Sequence, residues 1–188
     1  MNTLKHTLSI SLLLASFWTV PIWAADIAAG EQKAATCMGC HGPKGKSSNA
    51  QWPNLAAQQS AYIINQLTAF KTGARNNAMM QSMAASLSDD DMANLAAYYS
   101  SQPPVSAGGD PALAKSGQAK ASMCLGCHGS KAEGNGQFPR LAGQHPDYLV
   151  KQLNSFKEGV RKSGHMQAIA GTLSEDDMKA LAAYFGSL

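Results

Sequence analysis

Apolar side chains recur at helical spacing in two widely separated stretches of the chain. Ile63, Leu67 and Phe70 stand at i, i+4 and i+7, and Leu149, Leu153 and Phe156 repeat that stripe. Met92, Leu95 and Tyr99 form another, matched by Met178, Leu181 and Phe185. Each later stripe has a start signal in front of it. Ser88 with Asp91, and Ser174 with Asp177, have the spacing of a capping box. The pattern predicts helices that begin near Tyr62 and Tyr148 and at Ser88 and Ser174. A first helix in each half is expected to run up to a pair of cysteines. No βαβ alternation and no glycine-rich phosphate loop interrupts the pattern. The expected class is all-α.

The stripes match because the sequence is duplicated. Cys37-Met38-Gly39-Cys40-His41-Gly42 recurs as Cys124-Leu125-Gly126-Cys127-His128-Gly129. Trp52-Pro53-Asn54-Leu55-Ala56 recurs as Phe138-Pro139-Arg140-Leu141-Ala142, and Leu95-Ala96-Ala97-Tyr98 as Leu181-Ala182-Ala183-Tyr184. A unit of about 80 residues therefore occurs twice, which predicts two domains. Pro, Gly and Ser dominate residues 102–111, which read as a linker between a domain at 25–101 and another at 112–188. Asp110 and Pro111 have the chemistry to cap and open the next helix.

Residues 1–24 stand outside the repeat. Lys5 and His6 precede an apolar run from Leu8 to Phe17, Pro21 breaks it, and Ala24 lies before an expected cut. This is the pattern of a cleaved secretory signal peptide. The run is shorter than the roughly 20 residues that a spanning helix needs. The expected location of the mature chain is the periplasm.

Composition narrows the picture. The chain of 188 residues is 45% hydrophobic, 14% charged and 7% aromatic, which excludes a wholly disordered chain, a coiled coil and a multi-span membrane protein. A formal charge of +3 is too small for a typical nucleic-acid binder. Large apolar side chains are few for this length, so a non-protein group is expected to help fill the core.

The cysteines say which group. Both pairs are C-x-x-C followed by His, the attachment signature of c-type haem. Two thiols at this spacing, Cys37 with Cys40 and Cys124 with Cys127, add to two vinyl groups on one porphyrin edge. The next residue, His41 or His128, then supplies a nitrogen to iron. A disulfide within either pair would close a tiny loop and stabilise little. A zinc site split between the pairs would exceed the usual ribbon spacing, and a redox dithiol would need a βαβ context. None of these uses the histidine. Two haem c groups, one per domain, are expected.

The sixth iron position separates carrier from catalyst, and Met is the usual occupant in cytochromes c. Met79, Met80, Met83 and Met92 are available in the first unit. Across the repeat Met80 falls on Met166, whereas Met79 falls on His165 and Met83 on Ile169. Met92 and Met178 belong to a helical stripe and read as core. Met80 and Met166, in the segment between helices, are the expected ligands, with Met79 the alternative for the first iron. His165 and His145 read as solvated surface residues. The carbonyls of Pro53 and Pro139 are placed to accept the Nδ1 proton of His41 and His128. Arg75, Arg161, Tyr62 and Tyr148 are candidates to reach haem propionates, or else packing residues.

Taken together, the motifs CMGCHG and CLGCHG, WPNLA and FPRLAGQ, MMQSMAASLSDDD and HMQAIAGTLSEDD, and LAAYYSSQ and LAAYFGSL resemble the dihaem cytochrome c4 family. The resemblance spans essentially residues 25–188. It implies two tandem class I cytochrome c-like domains, each wrapped around one covalently bound haem with His/Met ligation, packed across a pseudo-twofold. It implies single-electron transfer between respiratory donors, such as a quinol-oxidising complex or a dehydrogenase, and a terminal oxidase or reductase, with possible peripheral membrane association. It also places Gly30 and Gly117 where the first and last helices of a domain cross. Two other functions fit the motifs less fully. One is the electron-accepting subunit of a dehydrogenase. The other is a peroxidase-like dihaem enzyme, which needs an open iron.

Overall fold

The computed structural model describes residues 25–188. The proposed signal peptide lies outside the described residues. Ten α-helices and no sheet are found among them, with one bridge between Asn135 and Phe138. In the first half these are α1 (Ile27–Ala34), α2 (Met38–His41), α3 (Ser60–Lys71), α4 (Ala78–Ala85) and α5 (Asp89–Ser100). In the second they are α6 (Pro111–Gln118), α7 (Ser122–His128), α8 (Pro146–Lys157), α9 (Gly164–Gly171) and α10 (Glu175–Ser187).

Side chains fix where the helices start. Asp26 accepts from Ala28 N and Ala29 N at the head of α1, and Asp110 accepts from Leu113 N at the head of α6, where Pro111 occupies the first turn. Both capping boxes form as the spacing predicts, Ser88 with Asp91 on α5 and Ser174 with Asp177 on α10. The first helix of each half runs up to the cysteines as the pattern predicts, α1 ending at Ala34 and α6 at Gln118, and the Cys-x-x-Cys-His stretches follow on α2, with Cys37 as its N-cap, and on α7. One expectation is corrected. The segment carrying Met80 and Met166 is helical, not a loop. Asn77 and Ser163 cap it, and residues such as Ala78, Met80 and Gln81 favour helix.

Each half has its own core. Ala34, Ile63, Leu95, Ala96, Tyr98 and Tyr99 form one cluster, and Ala121, Leu149, Leu173, Met178, Leu181 and Phe185 belong to the other. The stripe residues Met92, Leu95 and Tyr99, with their counterparts on α10, are all buried. Helix α1 crosses α5 and α6 crosses α10 at glycines. A β-carbon would stand 2.1 Å from Asn94 O at Gly30 and 2.0 Å from Ala180 O at Gly117, so any side chain would force the helices apart. Residues 103–110 are irregular, and several are fastened to the second half. Gly108 N donates to Gly186 O at 2.9 Å and Ser106 Oγ to the same oxygen at 3.0 Å.

The two halves meet through polar groups, and the contacts obey the repeat. Asn54 N donates to Gln144 Oε1 at 2.7 Å, and Arg140 N donates to Gln58 Oε1 at 2.7 Å. Gln144 Nε2 donates back to Asn54 O at 2.9 Å, and Gln58 Nε2 to Arg140 O at 3.1 Å. Gln59 Nε2 donates to Glu133 O, and His145 Nε2 lies 3.1 Å from Ser47 O. His145 is thus a half-buried interface residue, not the solvated side chain expected, because a carbonyl of the other half stands opposite its ring.

Candidate haem sites

Both candidate sites begin with a short helix that presents two thiols and an imidazole. None of the four cysteines pairs in a disulfide, and Cys37, Cys40 and Cys124 are half-buried while Cys127 is exposed. His41 and His128 end these helices and are buried, with 8% and 5% of their surface exposed. Nδ1 of His41 lies 2.9 Å from Pro53 O, and Nδ1 of His128 lies 2.8 Å from Pro139 O. A carbonyl only accepts, so Nδ1 carries the proton in both rings and Nε2 is the nitrogen with the lone pair. Burial pushes both histidines below their ordinary pKa, against the opposing pull of the carbonyl bond. Each ring is therefore held neutral and in a fixed tautomer, the form in which imidazole binds a metal.

Met80 and Met166 hold the same place on α4 and α9. Their backbone amides donate to the caps Asn77 Oδ1 and Ser163 Oγ. Helix α4 packs on α3, and α9 on α8. Met80 and Met166 are half-buried, whereas Met79 is 57% exposed and His165 is exposed.

Arg75, Arg161, Tyr62 and Tyr148 come together between the halves, with two glutamines that sequence reasoning did not single out. Arg75 donates to Gln66 Oε1 in its own half, and to Tyr148 Oη at 3.1 Å and Gln152 Oε1 at 2.8 Å in the other. Arg161 mirrors it, donating to Gln152 Oε1, Tyr62 Oη at 2.7 Å and Gln66 Oε1 at 2.8 Å. Each guanidinium also lies over a ring of its own half, Arg75 over Phe70 at 4.6 Å and Arg161 over Phe156 at 4.5 Å. Burial opposes ionisation of the Tyr148 phenol, but the two guanidiniums hold its pKa below the ordinary tyrosine value. The signal for this cluster was present in the sequence. Tyr62, Gln66 and Arg75 recur as Tyr148, Gln152 and Arg161, the tyrosine and glutamine on α3 or α8 and the arginine four residues past the end of that helix.

Three features fit these residues to haem. Each histidine offers a neutral nitrogen beside two cysteines at the attachment spacing, neither of them used in a disulfide. Tyr99 Oη and Arg140 Nε are buried without a hydrogen-bond partner, and Tyr99 stands beside Cys37. The ion pairs among the described residues are Lys33–Asp91, Lys120–Asp177 and Lys179–Asp176, so neither Arg75 nor Arg161 has a carboxylate partner. Partly buried cations without an anion suit the propionates of a porphyrin. When bound, haem supplies a one-electron iron couple whose potential the axial ligands and their surroundings set.

Fold and site together define a tandem c-type cytochrome. The cytochrome c family model matches residues 27–102 and 114–188. Cytochrome c4 of Azotobacter vinelandii is 38% identical over 189 residues, covering 88% of this chain and 90% of that protein. The crystal structure of reduced recombinant cytochrome c4 from Pseudomonas stutzeri superposes with a TM-score of 0.81 at 38% identity, covering 88% of this chain and all of the other. A thiosulfate dehydrogenase electron acceptor of Thiomonas intermedia is 34% identical, covering 98% of this chain and 91% of its own. The chain belongs to the cytochrome c4 family. It is an electron-transfer protein that carries two covalently bound haem c groups, one in each domain.

Proposed function

We propose that the chain is exported and carries single electrons in the periplasm, with each iron closed on both faces. His41 and Met80 ligate the first iron, and His128 and Met166 the second. Cys37 and Cys40 anchor the first haem, and Cys124 and Cys127 the second. The observation that carries this reading is the matched pair of sites. In both halves a buried histidine has its Nδ1 fixed by a proline carbonyl, and a half-buried methionine occupies the third position of a capped helix. Thioether ligation keeps the potential high, and a six-coordinate iron leaves no place for substrate. The work of the protein is then to hold the ligands still and to exclude water between electron arrivals. Donors of the quinol-oxidising or dehydrogenase type and an oxidase or reductase as acceptor suit such a carrier. Charge is nearly balanced, with five basic and five acidic residues in 25–105 and nine against seven in 106–188, so docking rests on contact more than on steering.

The test is to replace one methionine at a time in the two-haem protein. Met80→His is expected to lower the potential of the first haem alone, and Met166→His that of the second alone. An unchanged potential would assign the ligand to another residue, Met79 first in the case of Met80. A second reading has support of its own, since a relative of nearly the same length is named a thiosulfate dehydrogenase electron acceptor. On that reading the donor is a separate catalytic chain. Rapid reduction of this protein by a thiosulfate dehydrogenase in the presence of thiosulfate would favour it.

A further inference from the structure

Each histidine that faces iron is hydrogen-bonded within its own domain and, through one peptide group, to the other domain as well. The carbonyl of Pro53 and the N–H of Asn54 belong to the same peptide. On one side it accepts from His41 Nδ1 at 2.9 Å, and on the other it donates to Gln144 Oε1 at 2.7 Å. The second site repeats this. The Pro139 carbonyl accepts from His128 Nδ1 at 2.8 Å, and the N–H of the same peptide, that of Arg140, donates to Gln58 Oε1 at 2.7 Å. Both glutamines are buried, Gln58 at 5% and Gln144 at 6% exposure, and each returns a bond from Nε2 to the residue it accepts from.

A peptide group is one conjugated unit. Drawing its N–H toward an acceptor shifts electron density onto its oxygen, so hydrogen bonds at the two ends strengthen each other. A stronger acceptor at Nδ1–H makes Nε2 a better donor to a metal. Burial keeps water from diluting the effect. A better nitrogen donor favours the oxidised, more highly charged iron, which lowers the reduction potential.

We propose that Gln144 sets the donor strength of His41, and Gln58 that of His128, so that each domain tunes the iron of the other. The glutamines are positioning residues, acting through a peptide and an imidazole. The proposal rests on His41 and His128 being the axial ligands. Docking of the domains then lowers both potentials, and a partner that pries them apart raises both.

The experiment uses the full chain with both haems and the variants Gln144→Met and Gln58→Met, which keep length and remove the acceptor. Two quantities are read, the two midpoint potentials and the Nδ1–H proton resonances of His41 and His128 in the reduced protein. Gln144→Met is expected to raise the potential of the haem held by Cys37 and Cys40 and to move the His41 resonance, leaving the other haem in place. Gln58→Met is expected to do the reverse. If both potentials shift together in each variant, the glutamines only dock the domains and the proposal fails. It fails too if the haem of the substituted domain shifts, or if neither does. Should Gln144→Met not accumulate, Gln144→Asn, too short to reach Asn54, carries the same expectation. If the ring protons of His41 lack the displacement imposed by a haem face, the ligand assignment itself is wrong, and the proposal falls with it.

Discussion

At the scale of single residues, the repeat does what one copy of the sequence alone cannot. It pairs Met80 with Met166 and leaves Met79 opposite a histidine, and the structure turns Met79 outward. The proline carbonyls were legible for the same reason, since His41 and His128 each have a proline at nearly the same distance along the chain. The arginine–tyrosine–glutamine cluster was half legible. Its members were visible as repeated residues, but their contacts run between halves more than 70 residues apart, beyond the reach of any local pattern. Gln58 and Gln144 escaped notice, and His145 was read as solvated, because a polar residue of the interface looks like a surface one until its partner is known. One residue carries a sharp energetic consequence. Gly30→Ala places a methyl 2.1 Å from Asn94 O and is expected to cost about 1–3 kcal/mol by forcing α1 off α5. Thermal unfolding measures this, and unchanged stability would mean that the crossing is loosely packed.

At the scale of elements, the amphipathic helices were read correctly and the short ones were not. Helices α3, α5, α8 and α10 are 12 or 13 residues long and carry a stripe, which is what periodicity detects. Helices α4 and α9 have eight residues, apolar on more than one face, and so have no phase to read. Their caps, Asn77 and Ser163, were the available signal. The capping boxes of α5 and α10 also bear on acid stability. Hydrogen bonds from Lys33 to Asp91 and from Lys120 to Asp177, with those from the capping serines, hold both carboxyls below the ordinary range. A carboxyl whose pKa is depressed on folding stabilises the fold above its unfolded value, near about 4, and ceases to do so as pH falls through the folded value. Melting of Asp91→Asn against the parent chain should therefore show a lead for the parent at neutral pH that shrinks below about pH 4. The lead should be small, since Asp91 and Asp177 are partly exposed at the surface, where water and salt screen them. A lead that is constant from neutral pH to about pH 2 would exclude the carboxylate as its source.

At the scale of the molecule, two small cores stand side by side and are joined by polar contacts. The sequence predicts the duplication and the number of haems, because both follow from residues repeated in register. It does not reveal how the halves face each other, because nothing in either stripe points outward to the partner. The interface is made of side-chain amides, guanidiniums and phenols in matched pairs, an arrangement that holds two domains in one orientation and puts hydrogen bonds, not a greasy seam, between two redox sites. The central claim is that both irons are closed by strong protein ligands, so that the molecule moves electrons and does no chemistry on a substrate. The most direct test is the visible spectrum of the reduced protein, with haem counted per chain, before and after carbon monoxide is added. Two haems per chain and an unchanged spectrum are the predicted result. A shift in half of the haem would reveal an open iron and contradict the account.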